Sequence, residues 1–343
     1  MKTTYYYNFN FLKIIFTIIV ILYHFIRQLG FWCEGGYAIE LFFLISGFLC
    51  ATTFNKKLNI IDFAKKKIIS FMPFLIIAIL TLIPFKNYSA KTILNNIFLT
   101  PIWHHDLFVN IAWYINVWFW LSLCLFSLMK TLKKEQINLI VGISCFISLC
   151  YMLTYNRWLT WEKINFLNAG YFRGILSMGV GYLLFNMLPP SNFNITCCKI
   201  KNLLINKLFY TGYECFFLGY TVCCMFFKDL YISPLFVFIP STILFYLFIQ
   251  KKGYLSQATN HPFFLKLGKF ILPIYVLQQT PLALFSHTLT NYKDTLITYS
   301  YITIPTVVFI VIAWGIANYY LVQTISKFFL YLQKKHLNKE QNQ

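Results

Sequence analysis

Long apolar blocks, each of roughly 17 to 25 residues and separated by short polar stretches, dominate this sequence. The first block contains the run LKIIFTIIVILYHF at residues 12–25. A helix needs about 20 mostly apolar residues to cross the hydrocarbon core of a bilayer. In addition, 59% of the residues are apolar and 11% are charged, which is too little charge to cover a soluble domain. The pattern predicts an all-α protein that crosses a membrane many times.

The blocks predict about ten transmembrane helices within one membrane domain, residues 1–332, followed by a short cytoplasmic tail, residues 333–343. A shorter helix lying at the membrane interface is predicted within SAKTILNNIFLT, in the loop at residues 86–110. The ten predicted helices cover residues 10–28, 36–54, 67–85, 111–130, 137–155, 171–188, 208–227, 232–250, 264–287 and 297–332.

Positive charge alternates between successive loops. Of the 29 lysine and arginine residues, 20 lie in the two tails and the even-numbered loops, and 7 lie in the odd-numbered loops. Cytoplasmic loops of membrane proteins carry such an excess. Both termini are therefore predicted to be cytoplasmic, in a multi-pass protein of the inner (plasma) membrane. The same distribution explains the net charge of +19 through topology, without nucleic acid as a partner.

Two polar residues share one face of the first helix. Lys13 and His24 are 11 residues apart, so they lie ~16 Å apart along the axis and within ~20° of each other around it. Ionisable groups inside a membrane are costly and often mark a functional path. The alternative is a lysine that reaches back to the interface and a histidine bonded to a neighbouring helix. The spacing alone leaves both interpretations open.

Glu40 lies one turn into the second block, in GYAIELFFLISGF, at about the depth of His24. A carboxylate there predicts a pair in which Glu40 orients the His24 imidazole and stabilises its charged form, as an effective general base requires. The alternative is an ion pair between Glu40 and Arg27 or Arg173. In the same helix Gly47 is expected to allow the close approach of another helix.

A lysine cluster precedes the third predicted helix in DFAKKKIISFMPFL, residues 62–75. Lysines in front of a span are an ordinary topology signal and contact lipid headgroups. Together with Lys13 at the same depth, Lys65, Lys66 and Lys67 could also hold the phosphates of a nucleotide-bearing donor.

Six short motifs occur in order along nearly the whole chain. The first joins Lys13 to His24 across ten residues and ends in YHF, and the second runs from Glu40 through FF to SGF. In this order they resemble the motifs of acyltransferase family 3, integral membrane enzymes that O-acetylate cell-surface glycans. The other four motifs match at Lys67, Ser70 and Pro73; at Trp113 and Tyr114; at Arg173, Gly174 and Gly181; and at Gly268, Tyr275 and Gln278.

Three positions depart from the pattern of the family. Lys13 stands where the family has arginine. Lysine keeps the positive charge but lacks the planar guanidinium that can bind an anion through two parallel hydrogen bonds. Ser70 stands where the family has a second cation. Gln278 stands where the family usually has histidine, and an amide cannot take up a proton. A mechanism that needs a second histidine at that position is therefore not expected in this chain.

The resemblance implies acetyl-coenzyme A, or another acyl-coenzyme A, as a donor that is not permanently bound. It implies that the acceptor is a hydroxyl of a glycan or lipid-linked saccharide. The protein is expected to contact the lipid bilayer and to bind no metal. A transporter or flippase for a lipid-linked sugar or an anion is the alternative, although the sequence shows no inverted repeat. The implied roles are catalysis for His24, Glu40 and Arg173; donor binding for Lys13, Lys67 and Lys269; and substrate contact for Trp113, Tyr114, Tyr275 and Gln278.

Overall fold

The computed structural model describes residues 6–85, 89–99, 112–155, 163–164, 167–187, 200–230 and 233–340. This part of the chain is helical apart from two antiparallel two-residue strands, β1 (Lys163–Ile164) and β2 (Leu167–Asn168). Its α-helices are α1 (Asn8–Gln28), α2 (Ile39–Thr52), α3 (Ile60–Leu82), α4 (Ala90–Ile97), α5 (Ala112–Thr131), α6 (Lys134–Tyr155), α7 (Ala169–Met187), α8 (Ile200–Phe226), α9 (Leu235–Gln250), α10 (Tyr254–Ala258), α11 (Pro262–Leu277), α12 (Gln279–Thr298) and α13 (Ser300–Glu340). Short 3₁₀ helices occupy Gly35–Ala38, Ile83–Phe85 and Lys228–Leu230.

The all-α fold class is confirmed, and the hydropathy of the chain is that of a membrane protein. Five helical segments among the described residues are long and apolar enough to cross a bilayer. The total of ten spans and the cytoplasmic position of both termini stay predictions. The five segments are Asn8–Gln28, Gly35–Thr52, Ile60–Phe85, Lys134–Thr154 and Ser300–Phe329.

The predicted helices match observed ones with one exception, at residues 264–287. There the chain forms two helices, α11 and α12, which meet at Gln278. The side-chain amide of Gln278 donates to the carbonyl of Tyr275 at 2.9 Å. Pro281, in the first turn of α12, has no N–H to donate to the carbonyl of Leu277, so the helical ladder is interrupted here. The prediction of one continuous helix was wrong because it followed the apolar pattern and gave no weight to this proline. The predicted short helix in the preceding loop region forms as α4.

Two glycines bring α2 and α7 into close contact. A β-carbon on Gly47 would collide with the carbonyl of Met178 on α7, and one on Gly181 would collide with the carbonyl of Leu44 on α2. Small residues permit such backbone approach in membrane helices, so the expectation for Gly47 is confirmed. The two helices run in the same direction, because Leu44 lies beside Gly181 while Glu40, one turn earlier, lies beside Arg173.

Large apolar side chains are exposed on the outer faces of several helices. Phe146 on α6, Phe216 on α8 and Phe309 on α13 expose 67%, 60% and 71% of their surfaces. Exposed apolar faces of this extent are expected where a helix contacts lipid instead of water. Inside the bundle the core contains buried aromatic rings, among them Phe9, Phe48 and Phe245, which contact one another at centroid distances of 5.0 to 5.6 Å.

Candidate active site

A buried ion pair joins α2 to α7. The Nε of Arg173 lies 2.6 Å from one carboxylate oxygen of Glu40, and an Nη of Arg173 lies 2.8 Å from the other. The same guanidinium also donates to the backbone carbonyl of Gly36 at 3.2 Å. Glu40 and Arg173 are 1% and 4% exposed. Two parallel charge-assisted hydrogen bonds fix the relative orientation of both side chains.

Aromatic rings cover this ion pair. The guanidinium of Arg173 lies 5.1 Å from the ring centroid of Tyr37 and 5.2 Å from that of Trp113. Trp113 opens α5, which packs against both α2 and α7. A cation over an aromatic face gains electrostatic stabilisation when water is excluded. Trp113 therefore contributes to the environment of Arg173 as well as to the wall of the site.

His24 does not pair with Glu40. Its ring is part-buried and contacts the ring of Tyr23, with 4.8 Å between centroids. Within the described residues neither ring nitrogen of His24 has a hydrogen-bond partner, and both oxygens of Glu40 are bound by Arg173. The alternative pairing of Glu40 with Arg173 is the one that forms. The reason is geometric, because a guanidinium offers a carboxylate two donors and an imidazole offers one.

Two tyrosines lie beside the ion pair. The ring of Tyr275 on α11 lies 5.2 Å from that of Tyr114 on α5. The hydroxyl of Tyr275 is buried, has no hydrogen-bond partner among the described residues, and lies within electrostatic range of Arg173 and Glu40. Tyr114 interacts instead with the hydroxyl of Ser46. The structure thus brings four predicted site residues together around Glu40: Trp113, Tyr114, Arg173 and Tyr275.

Gln278 occupies the junction between α11 and α12 and is fully buried. Its amide nitrogen donates to the Tyr275 carbonyl, and its Oε1 has no partner in the described part of the chain. It can accept a hydrogen bond at this position but cannot take up a proton.

A rim of polar residues lies at the start of α2. Arg27 is 3.8 Å from Glu34 and donates to the hydroxyl of Tyr23 at 3.3 Å. Burial raises the pKa of the Glu34 carboxyl above its ordinary value, although Arg27 and Arg173 act in the opposite direction. This rim places further charge next to the buried pair.

A cavity of about 390 Å³ opens at the opposite end of α2. The ammonium of Lys67 lies 3.8 Å from the ring centroid of Trp118 and donates to Ser122 at 3.2 Å. Lys13 is close enough for its charge to repel that of Lys67. Lys66 also lines the cavity, so two cations face it although Ser70 replaces a third. The expected proximity of Lys13 and Lys67 is therefore observed, whereas their role in binding stays a prediction.

Two other polar residues lie elsewhere. Lys269 is exposed on α11, with its ammonium 4.7 Å from the ring centroid of Phe270 and 5.4 Å from that of Tyr319. It is absent from the cavity lining. Glu214 on α8 accepts from the backbone N–H of Ser256 at 3.1 Å and holds the start of α10. The apolar pattern did not predict α10, so this bond was not expected.

Three residues contact the predicted site residues although the sequence did not predict these contacts: Tyr37, Trp118 and Ser122. A signal for two of them exists, because Trp118 and Ser122 are four residues apart and share one face of a helix. Nothing in the pattern indicated that this face would meet Lys67.

The family model of the acyltransferase domain matches residues 6–317. The chain belongs to acyltransferase family 3. The resemblance found in six motifs is confirmed, and this protein is a membrane acyltransferase. The matched region includes every predicted site residue of the acyltransferase, from Lys13 to Gln278. No curated protein and no solved structure matches the chain.

Proposed function

We propose that this acyltransferase moves an acetyl or other short acyl group from acyl-coenzyme A to a hydroxyl of a cell-surface glycan or lipid-linked saccharide. The observation that carries the proposal is the arrangement along α1. Lys13 lies near the cavity that contains Lys67. His24 lies ~16 Å further along the same face, and its imidazole forms no hydrogen bond within the described part of the chain. A donor with an anionic head and a long acyl-bearing arm fits these two ends.

The cavity at Lys67 is the proposed position of the donor nucleotide. Ammonium groups bind phosphate oxygens as point charges, and Lys66 and Lys67 both line the cavity. The positive-inside distribution of loop lysines predicts that this end of α2 faces the cytoplasm, where acyl-coenzyme A is available. The opposite end, with His24, would then receive the acceptor from outside the inner membrane.

His24 is the proposed general base. In the proposed step the imidazole removes the proton of the acceptor hydroxyl while the oxygen forms a bond to the acyl carbon. The carbon–sulfur bond then breaks, and the imidazolium returns the proton to the departing thiolate of coenzyme A. The products are an ester and free coenzyme A. An imidazole that forms no hydrogen bond to any described residue is available for both proton transfers.

Tyr275 and Arg173 are the proposed stabilisers of the oxyanion. The Tyr275 hydroxyl is a buried donor close to the positive charge of Arg173, and no described residue bonds it. Donors arranged before the reaction stabilise the charge that develops on the acyl oxygen. Glu40 acts in this scheme by holding Arg173 in place, instead of orienting His24 as the sequence had suggested.

Membranes containing the full chain test this function when they are incubated with acyl-labelled acetyl-coenzyme A and the label is followed into polymer. His24→Ala should abolish incorporation, because it removes the proposed general base, while the amount of protein in the membrane stays unchanged. His261→Asn is the matched control. That exposed histidine accepts from the Phe263 N–H at the start of α11, and asparagine preserves such a cap. Normal incorporation by His24→Ala would contradict the proposal.

A further inference from the structure

Thr17 on α1 carries a buried hydroxyl. The residue is 3% exposed, and its Oγ1 forms no hydrogen bond within the described residues. A threonine in a helix ordinarily donates to the carbonyl four residues earlier. In this chain Thr242, Thr259 and Thr306 form that bond at 2.9, 2.7 and 2.8 Å. Thr17 does not, so its hydroxyl has lost water without gaining a partner.

The position of Thr17 connects the two ends of the proposed site. It follows Lys13 by four residues, about 6 Å along the axis and about 40° around it. It precedes His24 by seven residues, about 10 Å along the axis and about 20° around it. The unpartnered hydroxyl therefore lies on the face shared by Lys13 and His24, between them.

We infer that the Thr17 hydroxyl binds an amide group of the pantetheine arm of the acyl-coenzyme A donor. The inference rests on the proposed function, which places the phosphates near Lys13 and the thioester near His24. The arm between these groups contains two amides, and each brings an N–H and a carbonyl that lose water inside a protein. Val20 and Ile21, three and four residues further along α1 on the side of Thr17, are fully buried and apolar, so they offer no polar partner.

A hydroxyl suits this role because it can donate to an amide carbonyl or accept from an amide N–H. Because Thr17 is 3% exposed, binding of the arm requires the surrounding side chains to move apart. Thr17 is thus a binding and positioning residue that sets how far the thioester reaches towards His24, and it takes no part in the bond changes.

The test compares two ligands on the purified full-length protein by isothermal titration: coenzyme A, and 3′-phospho-ADP, which is its nucleotide without the arm. Thr17→Val keeps the shape and removes the hydroxyl. It should weaken coenzyme A binding roughly three- to ten-fold, the effect of one hydrogen bond between neutral groups, and leave 3′-phospho-ADP binding unchanged. Thr17→Ser should restore binding of coenzyme A, because it restores the hydroxyl.

Thr221→Val is the matched control. Thr221 is also fully buried with an unpartnered hydroxyl, but it lies on α8, which packs against α9 and α10. This variant should bind both ligands like the wild type. Thr17→Val should also melt no lower than the wild type, because an unpartnered hydroxyl contributes no bond to the fold.

Equal affinity of Thr17→Val and the wild type for coenzyme A would overturn the inference and leave the proposed function intact. Equal weakening of coenzyme A and 3′-phospho-ADP would also overturn it, because the hydroxyl would then act through the fold. A wild-type protein that binds neither ligand would refute the proposed donor itself. Thr17→Ala provides a second hydroxyl-free variant with the same expected selectivity for the arm.

Discussion

At the scale of single residues, the buried Glu40–Arg173 pair matters for both the stability of the fold and the proposed oxyanion site. Both side chains are buried, and each satisfies the charge of the other through two short hydrogen bonds. Removing one partner of a buried pair leaves an uncompensated charge and typically costs about 3–5 kcal/mol. The pair therefore supports the fold as well as the proposed oxyanion site, and its variants need a stability measurement next to an activity measurement.

Glu40→Gln should lower the melting temperature of the purified protein, because the Arg173 charge remains buried without its counterion. The double variant Glu40→Gln with Arg173→Gln should melt closer to the wild type than the single variant does, since it removes both charges. Glu34→Gln is the control, because Arg27 and Glu34 form a more exposed pair at 3.8 Å, worth at most about 1 kcal/mol. A single variant as stable as the wild type would show that the buried pair does not stabilise the fold.

Lys67→Met should raise the KM for acyl-coenzyme A by roughly 10-fold or more with little change in kcat, because a charge-assisted contact to phosphate contributes about 1.5–3 kcal/mol. Steady-state kinetics with varied donor concentration measure this effect. Lys65→Met is the control, since Lys65 is exposed two residues away and is absent from the cavity lining. Equal KM values for the two variants would exclude the cavity as the nucleotide site.

At the scale of elements, the contact between α2 and α7 positions the site. Gly47 and Gly181 let each helix touch the backbone of the other, and the ion pair sits further along the same two helices. Interfaces of this kind in membranes depend on small residues because lipid supplies no hydrophobic force between helices. A change in the spacing of the two helices therefore reaches Glu40 and Arg173 directly.

Gly47→Ala should reduce both thermal stability and acyl transfer, because the added methyl group collides with the carbonyl of Met178 and forces α2 away from α7. Gly142→Ala provides a matched control within α6, where a β-carbon meets no atom within 4 Å. That control should be neutral or stabilised by up to about 1 kcal/mol through helix propensity. Melting curves of both variants decide the point, and an unchanged Gly47→Ala protein would contradict the close packing.

At the scale of the whole molecule, the orientation in the membrane determines which substrate reaches which end of α1. The alternation of loop lysines predicts cytoplasmic termini, and α13 extends for 41 residues, about 60 Å, which exceeds the thickness of a bilayer. Its apolar portion ends at Phe329, before the lysine-rich end of the chain. A donor from the cytoplasm and an acceptor from outside both depend on this orientation.

Reporter fusions test that orientation. A fluorescent protein fused after Glu340 should be fluorescent and an alkaline phosphatase there inactive, because the predicted C-terminus is cytoplasmic. Fusions after Leu230, in the predicted outer loop between α8 and α9, should give the reverse result. The same behaviour at both positions would refute the predicted topology and, with it, the opposite entry of the two substrates.

The sequence alone predicted all the long helices except the break between α11 and α12, together with the α2 glycine contact and the common face of Lys13 and His24. Each of these depends on local backbone geometry or on the cost of exposing polar backbone to lipid. Both effects can be inferred from the sequence of a single segment. The partner of Glu40 was not determined in this way. Arg173 lies 133 residues away, and only the rotation and packing of α2 against α7 bring its guanidinium to the carboxylate. The placement of Lys67 over Trp118, the bond from Glu214 to α10 and the isolation of Thr17 likewise arose from tertiary packing, because side-chain partners are chosen where helices meet.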